Sequence, residues 1–452
     1  MTKRLSPEFN LDLKTLLFQT HQKAVSSIVL IENFLNRIQV DLKNFLKPQS
    51  IQPQQATTKP FGWASSSINQ HRTINKIKPS LCILGSRGIP AKYGGFETFA
   101  ERLSLYLVSQ GWDVTVYCQD DVGQEVVETR WNSVRLLYIP TPLRNAIGTI
   151  IFDWKSTVHA SKQDGIVLTL GYNTAIFCFL YRLKGITNLI NMDGIEWRRQ
   201  KWNSLEKLWL YLNERLACWL GNHLIADHPE IKAHLAKYVT SEKIAVIPYG
   251  SEEISDVDFT LLQQYNLSPN EYILVIARPE PENSILEIVS AFSSKTRNFK
   301  LVVLGHYLAD VAYHKKVMEV ASNEVIFPGA LYEKEVVTTL RFYARLYIHG
   351  HTVGGTNPSL VEALSKGVPV LAQDNSFNRW VAGLGAHYFK DSTECTEKLD
   401  RLLDDEQELK KMRLASLNHY HNNFSGERDL EAYKSLLELH IELPVYEQLK
   451  DN

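Results

Sequence analysis

Residues 81–97 read LCILGSRGIPAKYGGFE. The apolar run LCIL ends at Gly85, and glycines recur at Gly88, Gly94 and Gly95 before a helical pattern begins. A buried strand that passes through a glycine-rich turn into a helix is typical of the first unit of a parallel α/β sheet. Such a turn serves either its own backbone geometry or the close approach of an anionic ligand to free amides. This stretch alone leaves both alternatives open.

The turn matches neither of two common phosphate-binding motifs. Its glycine spacing does not fit the GxGxxG of dinucleotide-binding folds, and no GK[ST] follows as a P-loop requires. Arg87 and Lys92 nevertheless place positive charge beside the start of the helix, where the helix dipole also favours anions. Contact with a phosphate-bearing ligand and turn geometry alone therefore both remain open for this turn.

Strand and helix patterns alternate over the rest of the chain. In the first half, strands are predicted at 81–85, 113–118, 134–138, 165–170, 187–192, 222–226 and 244–247, and helices at 96–110, 174–184 and 204–220. After PYGSEE (248–253), strands are predicted near 272–277, 300–304, 325–328, 345–349 and 368–372. Two successive βαβ series predict an α/β protein with two Rossmann-like, doubly wound domains that face a ligand-binding cleft.

The predicted organisation has three parts. Residues 1–78 form a helical arm and a flexible linker, residues 79–248 the N-terminal Rossmann-like domain, and residues 249–452 the C-terminal Rossmann-like domain, whose last helix could cross back to the first domain. In the arm, apolar residues spaced 4,3,4,3,4,3 over residues 24–45 indicate a heptad seam. Self-association to a homo-oligomer, docking on the protein's own body and membrane contact all remain open for this seam.

Composition narrows the protein class. The chain has 452 residues, 44% of them hydrophobic, and a net charge of −1, although residues 1–78 hold 11 Lys/Arg against 4 Asp/Glu. The five cysteines form no CxxC pair, and the longest apolar run, residues 174–181, is far shorter than a membrane span. We expect a cytoplasmic protein without a signal peptide and without a nucleic-acid partner, whose basic arm suits peripheral contact with the inner face of the membrane.

Two further segments carry candidate binding residues. In ARPEPENS (277–284), Arg278 follows the first predicted strand of the second domain, where its guanidinium suits a diphosphate. In HGHTVGGTNPSLVEALSKGVPVLAQDN (349–375), a glycine-rich loop opens a helix that contains Glu362. The predicted donor contacts in this loop are Gly355, Thr356, Asn357 and Ser359.

Four segments together resemble one enzyme family. LGSRGIPAKYGGFETFAERL, NMDGIEWRRQKW (191–202), ARPEPEN and VGGTNPSLVEALSKGVPVLA are similar to segments of GT-B-fold glycosyltransferases of family 4, group 1. Within that family they resemble the rhamnosyltransferase-like branch of bacterial polysaccharide biosynthesis. The likeness spans roughly residues 80 to 390 and excludes the N-terminal arm.

The resemblance implies a role for each matching residue. Gly94 and Gly95 would lie near the donor diphosphate, Arg278 would bind that diphosphate, and Glu362 would bind the ribose. Asp193 and Glu196 would be the catalytic pair at the sugar-transfer centre, although Asp193 could instead be a helix cap that precedes IEW (195–197). The acceptor-side residues would be Arg87, Lys92, Arg198 and Arg199. The resemblance also implies retention of configuration at the anomeric carbon.

The sequence departs from the family pattern at two positions. Gly354 occupies the place of a glutamate eight residues before Glu362, and Asn283 occupies the place of a lysine five residues after Arg278. These departures remove a carboxylate and a cation, which would suit a donor sugar with fewer hydroxyls, such as a deoxysugar. The DxD-like Asp256-Val257-Asp258 falls in an acidic linker, so we expect no metal and no cofactor.

The sequence therefore predicts an enzyme of the hexosyltransferase type, which moves a sugar from a nucleoside-diphosphate sugar to a lipid-linked saccharide acceptor. The alternative is a non-catalytic sugar-binding or scaffolding protein on a degenerate transferase fold. A nicotinamide-dependent oxidoreductase ranks last because the fingerprint turn is absent. Five apolar residues after NMDGIE could form either a membrane-facing rim or core, and we interpret them as core: Trp197, Trp202, Leu205, Leu208 and Trp209.

Overall fold

The computed structural model describes residues 78–91, 94–141, 143, 146–253 and 257–448. The predicted heptad seam over residues 24–45, most of the predicted linker, Lys92 and Asp256 lie outside these residues. Within the described residues the strands form two sheets, one of eight strands and one of six. No helix among the described residues is both long enough and apolar enough to span a bilayer.

The first sheet has the strand order β3-β4-β2-β1-β5-β6-β7-β8. Its strands, β1 to β8 in chain order, are Ser80–Leu84, Asp113–Asp120, Val127–Trp131, Val134–Pro140, Ile166–Leu170, Asn188–Asn191, His223–Ala226 and Ile244–Val246. All described pairings are parallel except that of β3 with β4. The α-helices that connect these strands, α1 to α5, are Gly95–Ser109, Ala146–Ala160, Phe179–Lys184, Ser204–Leu220 and Pro229–Leu235.

The second sheet is parallel in all described pairings and has the order β11-β10-β9-β12-β13-β14. Its strands are Tyr272–Ile276, Lys300–Leu304, Val325–Gly329, Leu346–His349, Val370–Gln373 and His387–Phe389. The helices α6 to α13 are Ile285–Ser293, Ala312–Glu319, Lys334–Phe342, Pro358–Ser365, Ser376–Ala382, Ser392–Leu402, Glu406–Asn423 and Arg428–Gln448. The predicted fold class, two Rossmann-like parallel-sheet domains, is confirmed.

The sequence pattern missed three elements. Strand β3 (VETRW) is almost entirely exposed, so it lacks the apolar run that marks a buried strand. Strand β14 spans only His387–Phe389, which is too short for a periodic signal. Helix α2 contains Gly148 and several β-branched residues, which weaken its helical propensity, and it forms because its apolar side packs on the sheet.

The last helix, α13, packs on the first sheet although it follows the second sheet in the chain. Leu430, Tyr433 and Leu437 are buried in the same apolar cluster as the residues of β1 and α1. The Tyr433 hydroxyl accepts a hydrogen bond from Asn191 Nδ2 at 2.7 Å. Burial of such side chains contributes about 1.5–3 kcal/mol each, so α13 is an integral part of the first core.

A buried ion pair joins α1 and α13 at the connection between the sheets. Arg102 donates to both carboxylate oxygens of Asp429, at 3.0 and 3.3 Å, and to the carbonyl of Gly250 at 3.1 Å. The amide of Gly250 donates to Asp429 Oδ2 at 3.0 Å. Asp429 is 4% exposed, so its charge depends on these partners.

The glycine-rich turn between β1 and α1 is constrained by its neighbours. A Cβ added to Gly85 would lie 2.1 Å from the carbonyl oxygen of Leu170, and one added to Gly88 would lie 2.5 Å from Cys118 Sγ. Both glycines also have positive φ angles, 88° and 110°. The first two glycines of the turn therefore serve backbone geometry and close packing on the neighbouring strands.

We predict that Gly85→Ala lowers the free energy of unfolding by about 3 kcal/mol, because the new methyl group meets backbone atoms that cannot move aside. Gly95→Ala is the matched control, since its Cβ would meet only Pro358 Cγ, at an ordinary 3.5 Å. Urea unfolding followed by circular dichroism measures both variants. Equal stability of the two variants would contradict the packing role of Gly85.

Candidate active site between the two sheets

The carboxyl ends of both sheets meet through backbone segments that have almost no side chains. A Cβ added to Gly194, just after β6, would lie 3.4 Å from the Cα of Gly354 in the second domain. Gly95, the first residue of α1, lies opposite Pro358, the first residue of α9. Two helix N-termini from different domains therefore face each other, and both helix dipoles favour an anion there.

The two helix N-termini differ in which groups lie close to their first backbone amides. Gly94 provides no side-chain cap for α1, whereas the Asn357 side chain accepts from the Ser359 amide at 3.0 Å and so caps α9. The amide of Thr356 donates to Asp227 Oδ2 at 2.8 Å. Phosphate contact at Thr356 and Ser359, as predicted, would therefore require these amides to exchange partners. At the N-terminus of α1 the Glu97 carboxylate lies close by, since a Cβ added to Gly94 would lie 2.6 Å from Glu97 Oε2.

Arg278 contributes an exposed positive charge close enough to act on Asp193. It is exposed after β9, and its guanidinium has no hydrogen-bond or ion-pair partner among the described residues. Asn283, at the position of the usual lysine, is 4% exposed and donates through Nδ2 to the carbonyl of Arg278 at 2.8 Å. Asn283 therefore holds the turn that presents Arg278 and adds no charge of its own.

Asp193 lies at the end of β6 with a positive φ of 49°. Its amide donates to Asn191 Oδ1 at 2.9 Å, and this bond holds the strained turn. Burial and the Glu196 carboxylate raise the pKa of Asp193 to about 6, against the opposing effect of the Arg199 guanidinium. The short helix Glu196–Arg198 begins after Ile195 and has no side-chain cap among the described residues, so the interpretation of Asp193 as its cap is wrong.

Glu196, Arg199 and Glu282 form an ion-pair chain between the domains. Arg199 Nε lies 2.6 Å from Glu196 Oε1, and an η nitrogen of Arg199 lies 3.0 Å from Glu282 Oε1. Glu196 and Arg199 thus neutralise each other, and Arg199 also joins the first domain to the loop after β9. Arg198 is exposed, with its guanidinium 5.2 Å from the centre of the Trp197 ring.

Glu362 lies in the first turns of α9 and is held by Arg341. Arg341 contacts Glu362 Oε2 at 2.5 Å and donates to Ser359 Oγ at 3.3 Å. The Glu362 side chain is 35% exposed, so it remains accessible from the cleft. This arrangement orients the carboxylate while leaving lone pairs for ligand hydroxyls.

The sequence analysis overlooked Asp227. This residue directly follows β7 and is 1% exposed, and its carboxylate lies on the loop of the second domain that contains Gly355 and Thr356. The Thr356 hydroxyl also donates to the carbonyl of Asp227. Burial and, to a lesser extent, the Asp193 carboxylate hold the pKa of Asp227 well above its usual range. The sequence signal that could have identified Asp227 is its position directly after the buried strand residues LIA (224–226).

A polar cavity of about 250 Å³ opens at the carboxyl ends of β1 and β5. Its lining includes Glu97, Asp153 and Asn173, together with Arg87. The Arg87 amide donates to Glu97 Oε1 at 2.8 Å, while its side chain is exposed. Burial raises the pKa of Asp153 to about 7, against the effect of the 2.7 Å hydrogen bond from the Thr174 hydroxyl. The cavity therefore combines two carboxyl groups with neutral hydrogen-bonding side chains, among them Asn173 and Thr174.

The interpretation of the five apolar residues after β6 as core is only partly correct. Leu205 and Leu208 are 79% and 53% exposed on α4, so their assignment to the core is wrong. Trp209 is 38% exposed, and its indole donates to the carbonyl of Asn173 at 2.8 Å. Trp197 is partly buried, and its indole donates to Glu214.

Comparison with known proteins agrees with this architecture. Residues 259–418 match the profile described as glycosyl transferases group 1, and residues 78–252 match a domain of unknown function, DUF1972. A search of curated protein sequences gave no match.

Several solved structures share the fold at low sequence identity. Sucrose-phosphate synthase from Thermosynechococcus elongatus is 14% identical with a TM-score of 0.66, covering 81% of this chain and 100% of its own. HepE from Anabaena, solved with UDP and glucose, is 14% identical with a TM-score of 0.64, covering 80% and 100%. α,α-Trehalose 6-phosphate synthase from Burkholderia multivorans is 10% identical with a TM-score of 0.62, covering 82% and 98%. These likenesses establish the GT-B fold. The chain therefore has the GT-B fold, and its residues 259–418 match the group 1 glycosyltransferase profile.

Proposed function

We propose that the protein transfers a sugar from a nucleoside-diphosphate sugar to a hydroxyl of a saccharide acceptor in cell-surface polysaccharide synthesis. The observation that carries this proposal is the meeting of two helix N-termini in the cleft. The guanidinium of Arg278, which is exposed and has no partner among the described residues, acts electrostatically on Asp193 in the same cleft. This site suits a diphosphate, the group on which negative charge develops during transfer. The bound UDP-glucose of the HepE structure supports a nucleotide sugar as the ligand of this fold.

The donor would lie with its diphosphate at Gly94, Gly95 and Arg278 and its ribose at Glu362. Because these groups already supply a helix dipole and a cation, we propose that transfer needs no metal ion. The resemblance to rhamnosyltransferases makes rhamnose our first choice of sugar. Retention of configuration is proposed on the same resemblance.

In the proposed transfer step, an acceptor oxygen bonds to the anomeric carbon while the bond from that carbon to the diphosphate oxygen breaks. The bonding pair leaves with the diphosphate, which also receives the proton of the acceptor hydroxyl. Residues 350–357 follow β12, and we call them the donor loop. Asp193 lies beside this loop because Gly194 contacts Gly354, and it would stabilise the positive charge on the anomeric carbon. The acceptor would occupy the polar cavity lined by Glu97 and Asp153, whose acidic groups suit an uncharged saccharide.

A lipid-linked acceptor would require contact with a membrane surface. Helix α4 exposes an apolar stripe at helical spacing, formed by Leu205, Leu208, Leu212 and Trp219, which are 79%, 53%, 48% and 68% exposed. An apolar stripe that includes Trp on an otherwise polar helix is typical of interfacial membrane contact. We therefore propose peripheral membrane association through this stripe, which we call the α4 stripe.

The donor class is testable by thermal unfolding with dTDP, UDP, GDP, ADP and NAD, each near ~1 mM. A nucleoside diphosphate at about 100 times its dissociation constant should stabilise the protein by about 2.7 kcal/mol. We expect Arg278→Ala to remove this stabilisation and to lower turnover at least ~100-fold, because a diphosphate contact is lost. Arg401→Ala, an exposed arginine of the same domain, is the control.

The alternative function makes a different prediction for these proteins. A sugar-binding or scaffolding protein would show no transfer with any nucleotide sugar, and Arg278→Ala would leave its assembly role intact. Stabilisation by NAD alone would contradict both proposals. Unchanged turnover after treatment with EDTA is expected, and a loss that Mg²⁺ or Mn²⁺ restores would refute metal-independent transfer.

We predict that kcat falls as the pH drops through about 6, because Asp193 becomes protonated below its raised pKa of about 6 and loses its negative charge. Asp193→Asn should lower kcat at least ~100-fold at pH 8 and abolish this acidic limb. The control is Asp310→Asn, an exposed aspartate of the second domain. An unchanged pH profile in Asp193→Asn would exclude the proposed role.

We predict that replacing Leu205, Leu208 and Trp219 by Ser lowers binding to vesicles of phosphatidylglycerol and phosphatidylcholine at least ~10-fold, since the buried apolar area is lost. Co-sedimentation of the full chain with vesicles measures this change. Leu414→Ser and Leu439→Ser, which alter apolar residues that are 64% and 53% exposed on other helices, serve as the control. Equal vesicle binding by both variants would refute the α4 stripe as a membrane contact.

A further inference from the structure

Asp227 is the most deeply buried carboxylate between the domains, with 1% of its surface exposed. One oxygen, Oδ2, accepts from the Thr356 amide at 2.8 Å. The other, Oδ1, is buried and has no hydrogen-bond partner in the described part of the chain. Folded proteins rarely leave a buried polar atom without a partner, so such an atom calls for a ligand or another explanation.

The surroundings of Asp227 are the donor loop of the second domain. A Cβ added to Gly355 would lie 2.1 Å from Oδ1 and 2.2 Å from Oδ2, so only glycine allows this carboxylate to reach the loop. The Thr356 hydroxyl, which donates to the Asp227 carbonyl, adds a second bond across the interface. The first domain thus contributes an acidic side chain to residues 350–357 of the second domain, a loop that contains no Asp or Glu.

The donor loop is open at Gly354, the residue before Gly355. A Cβ added to Gly354 would meet no heavy atom of the described residues within 4 Å, although Gly194 lies close to the Gly354 backbone. Asp193, the residue before Gly194, is near enough to raise the pKa of Asp227. The open side of the loop and two carboxylates, from the ends of β6 and β7, therefore lie together at the proposed transfer centre.

We propose that Asp227 binds a hydroxyl of the transferred sugar through Oδ1, and so supplies from the first domain the acidic group that the donor loop lacks at Gly354. A sugar hydroxyl both donates and accepts hydrogen bonds, so it satisfies Oδ1 while the Thr356 amide keeps Oδ2. This inference rests on the proposed function. It assigns Asp227 to sugar recognition, whereas Arg278 and the helix N-termini recognise the diphosphate.

Because Asp227 and Thr356 belong to different domains, this contact forms only when the domains are together. A nucleotide sugar would therefore gain an interaction across both domains that a nucleoside diphosphate lacks. The expected signature is a selective loss of affinity for the nucleotide sugar, with little change in affinity for the corresponding nucleoside diphosphate. A purely structural role for Asp227 would weaken both ligands alike.

The test is calorimetric titration with a matched pair, UDP and UDP-glucose, or dTDP and dTDP-rhamnose if the unfolding assay selects dTDP. For Asp227→Ala we expect the dissociation constant of the nucleotide sugar to rise about 10- to 100-fold relative to that of its diphosphate. Asp227→Asn, which keeps the shape and a carbonyl for the Thr356 amide, should lie between Asp227→Ala and the wild type. If Asp227→Ala does not fold, Asp227→Asn alone still tests the sugar contact.

Asp429→Asn is the matched control because Asp429 is another buried carboxylate that joins distant segments, at the Arg102 pair. Its ratio of the two dissociation constants should equal that of the wild type. An unchanged ratio in both Asp227 variants, or an equal change in Asp429→Asn, would overturn the sugar contact while leaving the transferase proposal in place. Failure of the wild-type protein to bind any tested nucleotide or nucleotide sugar would overturn both.

A second measurement locates the hydroxyl. Donor analogues that lack one sugar hydroxyl at a time are titrated into the wild type and Asp227→Asn. For the analogue that lacks the contacted hydroxyl, the variant and the wild type should bind equally, because the interaction is already absent. An equal penalty of Asp227→Asn on every analogue would assign the residue to domain contact alone.

Discussion

The approach of the two domains through glycine backbone is the constraint on which the candidate site depends. Gly194 and Gly354 bring the end of β6 to within contact of the donor loop, and Gly355 leaves just enough room for the Asp227 carboxylate. A side chain at Gly355 would separate these surfaces or displace the carboxylate. The small size of these residues therefore decides which charged groups lie close enough to interact.

The charges in the cleft divide into a fixed set and an available set. Glu196, Arg199 and Glu282 satisfy one another and hold the domains together. In the proposed transfer, Asp193, Asp227 and Arg278 would serve chemistry and recognition, and Asp227 Oδ1 and the Arg278 guanidinium have no partner among the described residues. The Glu196–Arg199 pair begins three residues after Asp193 in the chain. Burial raises the pKa of both aspartates, so their ionisation is sensitive to a bound ligand.

The glycine-rich turn after β1 contains two pairs of glycines with different neighbours. Gly85 and Gly88 are required by the neighbouring backbone and by Cys118. Gly95, at the start of α1, lies opposite Pro358 of the second domain, whereas Gly94 lies against the Glu97 side chain. Backbone packing thus accounts for Gly85 and Gly88, while the approach of a ligand at Gly94 and Gly95 stays a prediction.

The sequence by itself determined the two alternating α/β domains, because the periodicity of buried strands and amphipathic helices is local and can be read from neighbouring residues. It also identified Arg278, Glu362 and Asp193 as polar residues at strand or helix ends. It could not identify the partners of these groups, and it missed Asp227 and misjudged Leu205. The Asp227–Thr356 and Arg199–Glu282 contacts join residues 129 and 83 positions apart. Only the tertiary structure decided them, because contact across a cleft depends on how two complete domains pack, and no local pattern encodes that distance.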